Sequence, residues 1–227
     1  MRIRDNYGRT PLHSAAGKGR DPLVLLMVEK GAGIEAKDHS GQTPLQLASA
    51  ARHASVVRTL IGKGAEIIAP AKSGQTSLHN VAFNGHEEVI KALVEEGIDI
   101  NILDHDGDPP LHNAVVKGYL ETTLLLIKLS TSISIKNQDG QTALHWAAHS
   151  GSESVTQTLI NLRPDMISAT NVDGKTRLHW AAYRGNAGCV RLLIIGGADI
   201  STLDGNGQTA LKVASENRRM AVVRLLE

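Results

Sequence analysis

Aromatic residues are scarce in this chain, with one phenylalanine, three tyrosines and two tryptophans among 227 residues. A single cysteine, Cys189, excludes an intramolecular disulfide and any CxxC site, and it fits a reducing compartment. The longest apolar runs, such as LVLLMV, are much shorter than the ~20 residues of a membrane-spanning helix, and the start MRIRDNYGRT has no apolar targeting segment. These absences favour an intracellular, cytoplasmic protein, with the nucleus as the alternative compartment.

Charge of one sign is also lacking, because 24 basic residues stand against 23 acidic ones and both are scattered. No basic face indicates nucleic acid, and no HExxH, GxSxG, Walker or GxGxxG motif is present. We therefore expect no nucleic-acid partner, no membrane insertion, no cofactor and no metal.

What the chain does have is a repeat. A glycine before the pattern xTxL recurs at spacings of 33, 33, 33, 33, 34 and 33 residues, at Gly8, Gly41, Gly74, Gly107, Gly140, Gly174 and Gly207. A second glycine follows in five of the seven copies, at Gly19, Gly85, Gly118, Gly151 and Gly185. Arg52 and Arg218 occupy this place in the other two copies. Seven registers of one unit thus fill the chain.

Each unit reads as a turn, a short helix, a tight stop, a second helix and a loop. In repeat 1, Gly8 suits the turn, Thr10 is the N-cap and Pro11 is preset for the first helical position. Gly19 lets the chain leave the helix in a left-handed conformation. The second helix is clearest in HEEVIKALVEEG, with one apolar stripe. A helix pair of this size cannot bury its own apolar face, so neighbouring units must stack into a solenoid.

The period, the TPLH motif from Thr10 to His13 and the linkers KGAGIEAKD and GGADISTLD resemble ankyrin repeats across residues 1–227. The resemblance implies an all-α repeat solenoid of helix-turn-helix units with β-turn or hairpin tips, elongated and curved. It implies one domain, 1–227, with repeats at about 1–35, 36–68, 69–101, 102–134, 135–168, 169–201 and 202–227.

Three repeats depart from the pattern. Repeat 2 has Gln46 in place of the histidine and Arg52 in place of the helix-ending glycine. Repeat 4 replaces the capping threonine with Pro109, so Asp108 is the expected substitute cap. Repeat 5 carries one extra residue, which predicts a bulged loop around Pro164.

Histidines invite a metal or acid-base hypothesis, but five of the ten share one motif slot: His13, His79, His112, His145 and His179. The resemblance implies that each bridges its own threonine and an adjacent loop. Ligands for one metal ion should converge, whereas these are spread one per repeat. The tryptophans that follow two of them, Trp146 and Trp180, are expected to be core or half-buried.

Two further motifs are weaker. DHDGD, from Asp104 to Asp108, lacks the ligand alternation and distal glutamate of a calcium loop. In LVEEGIDIN, the residues Leu93, Asp99 and Ile100 stand before Asn101 at spacings that resemble the ankyrin-directed asparaginyl hydroxylation pattern. The resemblance makes Asn101 a candidate for hydroxylation.

Ankyrin-like proteins bind macromolecules through their turn tips and the inner face of the first helices. The candidate tip residues are Tyr7, Arg9, His39, Lys72, His105, Asp106, Asp108 and Lys175. The candidates at the ends of the first helices are Phe83, Asn84, Val116, Lys117, His149, Ser150, Tyr183 and Arg184. We expect Phe83, Val116, His149 and Tyr183 to form one stripe, with Phe83 and Tyr183 as anchors.

The predicted function is therefore non-catalytic: a scaffold, expected to be monomeric, that displays a concave protein-binding surface over repeats 3 to 6. The alternative is a regulatory or spacer segment of a longer protein that docks on a neighbouring domain, an idea favoured by the lack of an added cap element at either end. An enzyme on this scaffold is the remote alternative.

Overall fold

The computed structural model describes residues 4–227, which form fourteen α-helices and contain no strand. The start of repeat 1, residues 1–3, lies outside the described residues. The helices come in seven consecutive pairs, one for each predicted repeat, so the described chain is the all-α repeat solenoid that the pattern predicts. It divides into two compact units, Met1–His105 and Asp106–Glu227, and the division falls in the turn of the fourth repeat.

The first unit contains three helix pairs. The pairs are α1 (Pro11–Gly17) with α2 (Asp21–Glu29), α3 (Pro44–Ala50) with α4 (Ala54–Gly62), and α5 (Ser77–Asn84) with α6 (Glu87–Glu95). The first helices pack in the order α1, α3, α5, and the second helices form a parallel layer in the order α2, α4, α6.

The second unit contains four pairs, whose first and second helices likewise form two layers within this unit. The pairs are α7 (Pro110–Lys117) with α8 (Leu120–Lys128), α9 (Ala143–Ser150) with α10 (Glu153–Leu162), α11 (Arg177–Arg184) with α12 (Ala187–Ile195), and α13 (Ala210–Glu216) with α14 (Met220–Leu226). A 3-10 turn, Pro164–Met166, follows α10.

Small and branched apolar side chains form the core between the layers. In α1, Leu12 and Ala16 are buried. In α6 the predicted stripe of Val89, Ile90, Leu93 and Val94 is buried except at Val94, which is half-buried. Alanine on the first helix lets the second helix approach closely, which is why the short helices of one pair pack despite their small contact area. Within the described residues, no helix is long and apolar enough to cross a membrane.

Left-handed backbone occurs where the pattern requires it. The turn glycine Gly8 has φ 76°, and Gly85, which ends α5, has φ 71°. Arg52 and Arg218 adopt the same left-handed conformation, with φ 64° and 55°, although they carry side chains. A third non-glycine exception is Ser130, at φ 77° after α8. The repeat geometry therefore prevails over the residue preference at these three positions.

The cap predicted for repeat 4 is wrong. The N-cap of α7 is Pro109, which makes no side-chain capping hydrogen bond. The carboxylate of Asp108 instead lies 2.7 Å from Nδ1 of His112, because Pro109 has neither a backbone N–H nor a hydroxyl for this ring to engage.

The extra residue of repeat 5 is absorbed after α9. Helix α10 has ten residues, one more than the other long second helices, and the 3-10 turn at Pro164–Met166 then places Met166 and Ile167 in the core.

Candidate functional site

The histidine slot is a cap that links successive repeats. The backbone N–H of Thr10 donates to Nδ1 of His13 at 3.1 Å, and the Thr10 hydroxyl lies 2.8 Å from the same nitrogen. Nε2 of His13 therefore carries the proton and donates to the carbonyl oxygen of Gln42, in the next turn, at 3.0 Å. His179 makes the equivalent bond to Gln208 at 2.9 Å. His13 and His179 hold successive turns together, as the resemblance implies, but Nε2 of His112 and Nε2 of His145 make no hydrogen bond within residues 4–227.

Glutamine performs the same task in repeat 2. The N–H of Thr43 donates to Oε1 of Gln46 at 2.9 Å. Nε2 of Gln46 donates to the carbonyls of Ala69 and Gln75, at 3.1 and 2.9 Å. Gln46 therefore supplies the same acceptor and donor as His13 and His179, so this cap does not require an imidazole.

His145 has the most perturbed surroundings of these caps. Burial, and then the guanidinium of Arg177, lower the pKa of His145 to about 3, and the Lys175 carbonyl opposes this shift only in part. Arg177 is itself fully buried, and burial lowers its pKa to about 10. Its guanidinium donates to the Ala169 carbonyl and, at 3.1 Å, to the Thr142 hydroxyl. Arg177 thus joins the irregular loop of repeat 5 to the cap of α9.

Neither a metal site nor a reactive thiol is present among the residues that the structure describes. Residues 4–227 contain no cluster of three or more histidine, cysteine, aspartate or glutamate side chains that could hold a metal ion. Cys189 is buried, its sulfur lies 3.4 Å from the hydroxyl of Thr156, and burial raises the pKa of its thiol. A buried thiol of raised pKa is a packing residue rather than a nucleophile.

The tip candidates of the first unit lie on successive turns. The N–H of His39 donates to the Tyr7 carbonyl at 2.9 Å, and the N–H of His105 donates to the Ser73 carbonyl at 3.1 Å. Tyr7, His39, Lys72 and His105 are exposed. Arg9 is half-buried, and its guanidinium carbon lies 5.0 Å from the centre of the Tyr7 ring.

The tip candidates of the second unit differ in their accessibility. Asp106 is exposed, and its carbonyl accepts from the N–H of Gln138 at 3.0 Å. Asp108 is half-buried and accepts from the amide of Asn137 at 2.9 Å. Lys175 is half-buried as well, with Nζ 6.0 Å from the centre of the Trp180 ring.

The candidates at the ends of the first helices fall into both units. In the first unit, Phe83 is 41% exposed and Asn84 donates back to the carbonyl of its own helix at Asn80, at 2.7 Å. In the second unit, Val116 is half-buried and Lys117 is exposed at the end of α7, which packs against α9. The hydroxyl of Ser150 donates to the Ala147 carbonyl at 3.2 Å.

Aromatic side chains of α9 and α11 form a connected surface in the second unit. His149 meets Trp146 and Trp180 edge to face, with ring centres 5.8 and 5.1 Å apart. Both tryptophans are half-buried, as expected, and Tyr183 is 47% exposed one helical turn beyond Trp180. We call Trp146, His149, Trp180 and Tyr183 the aromatic face.

Positive charge borders the aromatic face. Burial, and then the Arg184 guanidinium, lower the pKa of His149, which favours its uncharged imidazole. Arg219 donates to the carbonyl of Tyr183 at 3.0 Å. The sequence pattern predicts His149, Tyr183 and Arg184 here, but it misses Trp146 and Trp180. Their position in the repeat could have indicated this surface. Each tryptophan directly follows a capping histidine, and because that histidine points inward, the next residue lies at the edge of the buried side of the helix.

Asn101 is half-buried in the loop after α6, and its N–H donates to the Asp99 carboxylate at 2.9 Å. Hydroxylation of Asn101 stays a prediction.

Paired helices, glycine turns and threonine-histidine caps define a helix-turn-helix repeat protein of the protein-interaction class. A family model described as ankyrin repeats (3 copies) matches residues 1–71, 67–137, 126–204 and 166–227. The chain belongs to the ankyrin-repeat family, whose fold is typically a non-catalytic interaction module.

Among solved structures, the chain is similar to the crystal structure of the ankyrin repeat domain of Bcl-3, described as a unique member of the IkappaB protein family. The two share 31% sequence identity with a TM-score of 0.76, over 96% of this chain and 99% of that one. No curated protein matches the chain.

Proposed function

We propose that the chain is a non-catalytic scaffold that binds a protein partner on the aromatic face of its second unit. The single observation that carries the proposal is the aromatic face itself. The chain has only six aromatic residues of the Phe, Tyr and Trp types, and three of them, Trp146, Trp180 and Tyr183, lie on two adjacent helices with His149 between them.

Energetic reasons support this choice of surface. Tryptophan, tyrosine and arginine are the residues that most often contribute strongly to protein interfaces. Tryptophan and tyrosine do so because they bury large areas at little cost in side-chain entropy. The face combines two half-buried indoles with the exposed ring of Tyr183 and a rim that includes Arg184. Val116 and Lys117 at the end of α7 extend the same side of the unit, and Phe83 and Asn84 are the candidates of the first unit.

The experiment compares two tyrosines of the second unit with nearly equal exposure. Tyr183, on the aromatic face, is 47% exposed, and Tyr119, before the second-layer helix α8, is 40% exposed. Immobilised wild-type chain, Tyr183→Ala and Tyr119→Ala are each used to capture proteins from cell extract, with quantitative mass spectrometry as the readout. We expect a bound protein to be lost with Tyr183→Ala and retained with Tyr119→Ala.

Thermal unfolding provides the control, since truncation of a half-exposed ring should change stability by less than about 1 kcal/mol. Equal capture by both variants would contradict the assignment of the aromatic face. A large loss of stability in Tyr183→Ala would show that the ring belongs to the core.

A further inference from the structure

A cavity of about 400 Å³ lies beside the aromatic face, between α11, α13 and the turn of the last repeat. Trp180, Tyr183 and Val213 supply its apolar walls, and Asp204, Gln208 and Asn217 supply polar ones. The volume is in the range of sites that hold a single side chain or a small ligand.

The polar side of this cavity is rich in acceptors. Oδ1 of Asp204 accepts from the backbone N–H groups of Asn206 and Gln208, at 2.9 and 3.0 Å. Oδ2 of Asp204 is buried, and no donor from residues 4–227 reaches it. The side-chain amide of Gln208 donates to Glu216 at 2.9 Å, and that of Asn217 donates to a backbone carbonyl at 2.8 Å. Their amide oxygens remain as acceptors, so a ligand here must bring donors.

The first unit shows which group suits such an aspartate. Asp38 holds its own turn in the same way, with Oδ1 accepting two backbone N–H groups at 2.9 Å. Its Oδ2, however, lies 3.8 Å from Nε of Arg9, and the same guanidinium stands over the ring of Tyr7. An arginine between a carboxylate and an aromatic ring is therefore already part of this repeat architecture.

The corresponding position in the second unit holds a lysine. Lys175 follows its turn glycine as Arg9 follows Gly8, but its ammonium stands over Trp180 at 6.0 Å and, within the described chain, makes no ion pair with Asp204. The Trp180 ring thus already attracts a cation, while the carboxylate beside it is left without one.

We propose that this cavity binds an arginine side chain of the protein partner. The inference rests on the proposed function, in which the partner docks on the aromatic face. The guanidinium lies against the ring of Trp180, donates to Oδ2 of Asp204 and displaces the ammonium of Lys175 from the ring. Arginine fits better than lysine because its planar group stacks on indole, is weakly hydrated and carries five donors.

The test uses capped tripeptides Ala-X-Ala, with X as arginine, citrulline, lysine or glutamate, titrated into the full chain and followed by NMR. Citrulline keeps the shape of arginine and removes its charge. We expect arginine to bind at least about tenfold more tightly than citrulline, because hydrogen bonds between charged groups discriminate by that much or more.

Three variants locate the binding. Asp204→Asn should lower the affinity for the arginine peptide about tenfold without loss of the fold, because Asn171 occupies the same turn position and accepts the same two backbone bonds at 3.0 and 2.9 Å. Lys175→Ala should raise the affinity, since it removes the internal competitor. Asp38→Asn is the matched control and should leave the affinity unchanged.

Equal binding of arginine and citrulline, tightest binding of glutamate, or an unchanged affinity in Asp204→Asn would each overturn the inference. So would the absence of arginine binding up to about 10 mM peptide. Capture that depends on Tyr183 but persists in Asp204→Asn would refute the arginine site alone. Capture that is independent of Tyr183 would refute the proposed function.

Discussion

Acid should destabilise this protein through its buried caps, and His145 is the position at which the effect can be isolated. Its pKa is about 3 in the folded chain, against 6.5 for an exposed histidine. The imidazole of His145 therefore takes up a proton near pH 6.5 in the unfolded chain, whereas in the folded chain it stays uncharged until about pH 3. The contribution of the uncharged His145 to the free energy of unfolding is therefore complete above pH 6.5. As the pH falls below 6.5, this contribution decreases by about 1.4 kcal/mol per pH unit.

The perturbation is His145→Gln. The chain supplies its own precedent, since Gln46 completes the same cap in repeat 2 with bonds of 2.9 to 3.1 Å. Glutamine does not titrate, so the variant should keep the cap and lose the proton linkage. Between pH 7 and pH 5 the wild type should lose about 2 kcal/mol more unfolding free energy than the variant, from a pKa of about 3 folded and 6.5 unfolded.

The assay is urea unfolding of both proteins at pH 7, 6 and 5, followed by circular dichroism. The reverse change, Gln46→His, should make the chain more sensitive to acid and serves as the matched control. The reasoning is refuted if His145→Gln is folded at pH 7 and still loses as much stability as the wild type on acidification. A loss of fold at pH 7 would instead show that the glutamine of repeat 2 is not a model for repeat 5.

Two further changes test the backbone and the buried charge. Ser130→Gly should raise the unfolding free energy by about 0.5–1 kcal/mol, because Ser130 has φ 77° and glycine relieves that strain. Urea unfolding measures this change, and an unchanged midpoint would contradict the prediction. Arg177→Lys should lower stability by about 1.5–3 kcal/mol, because one ammonium cannot serve both Ala169 and Thr142. Thermal unfolding measures this second change. A variant as stable as the wild type would show that stability does not require the two separate guanidinium bonds to Ala169 and Thr142.

Sequence periodicity predicts most of the fold because each repeat contains the residues that begin and end its own helices. Thr10 and Pro11 begin a helix, Gly85 ends one, and the side-chain pattern orients both layers. These signals act within a few residues, so they can be read without knowledge of the neighbours. Arg52 shows the limit, since it takes a left-handed conformation that its residue type disfavours and only the repeat position explains.

The candidate site is predicted less completely, because it depends on contacts between repeats. The sequence around Arg177 does not show that this side chain is buried, yet its guanidinium charge helps to lower the pKa of His145, after the burial of His145 itself. Asp204 looks like a turn aspartate equivalent to Asp38, and only the absence of a donor to its Oδ2 within residues 4–227 marks it as different. A buried acceptor that lacks a hydrogen-bond donor, such as Oδ2 of Asp204, has no motif in the sequence, because the missing donor would come from another repeat.

The exchangeability of Gln46 and the capping histidines has a consequence for how such chains diverge. Codons for histidine and glutamine differ only in their third base, so a single nucleotide substitution can switch a repeat between a cap that titrates and one that does not. Because both residues fill the acceptor and donor requirements of the slot, neither direction need pass through a misfolded intermediate. Sensitivity to acid can therefore drift or be selected one repeat at a time, independently of the surface that recognises the partner.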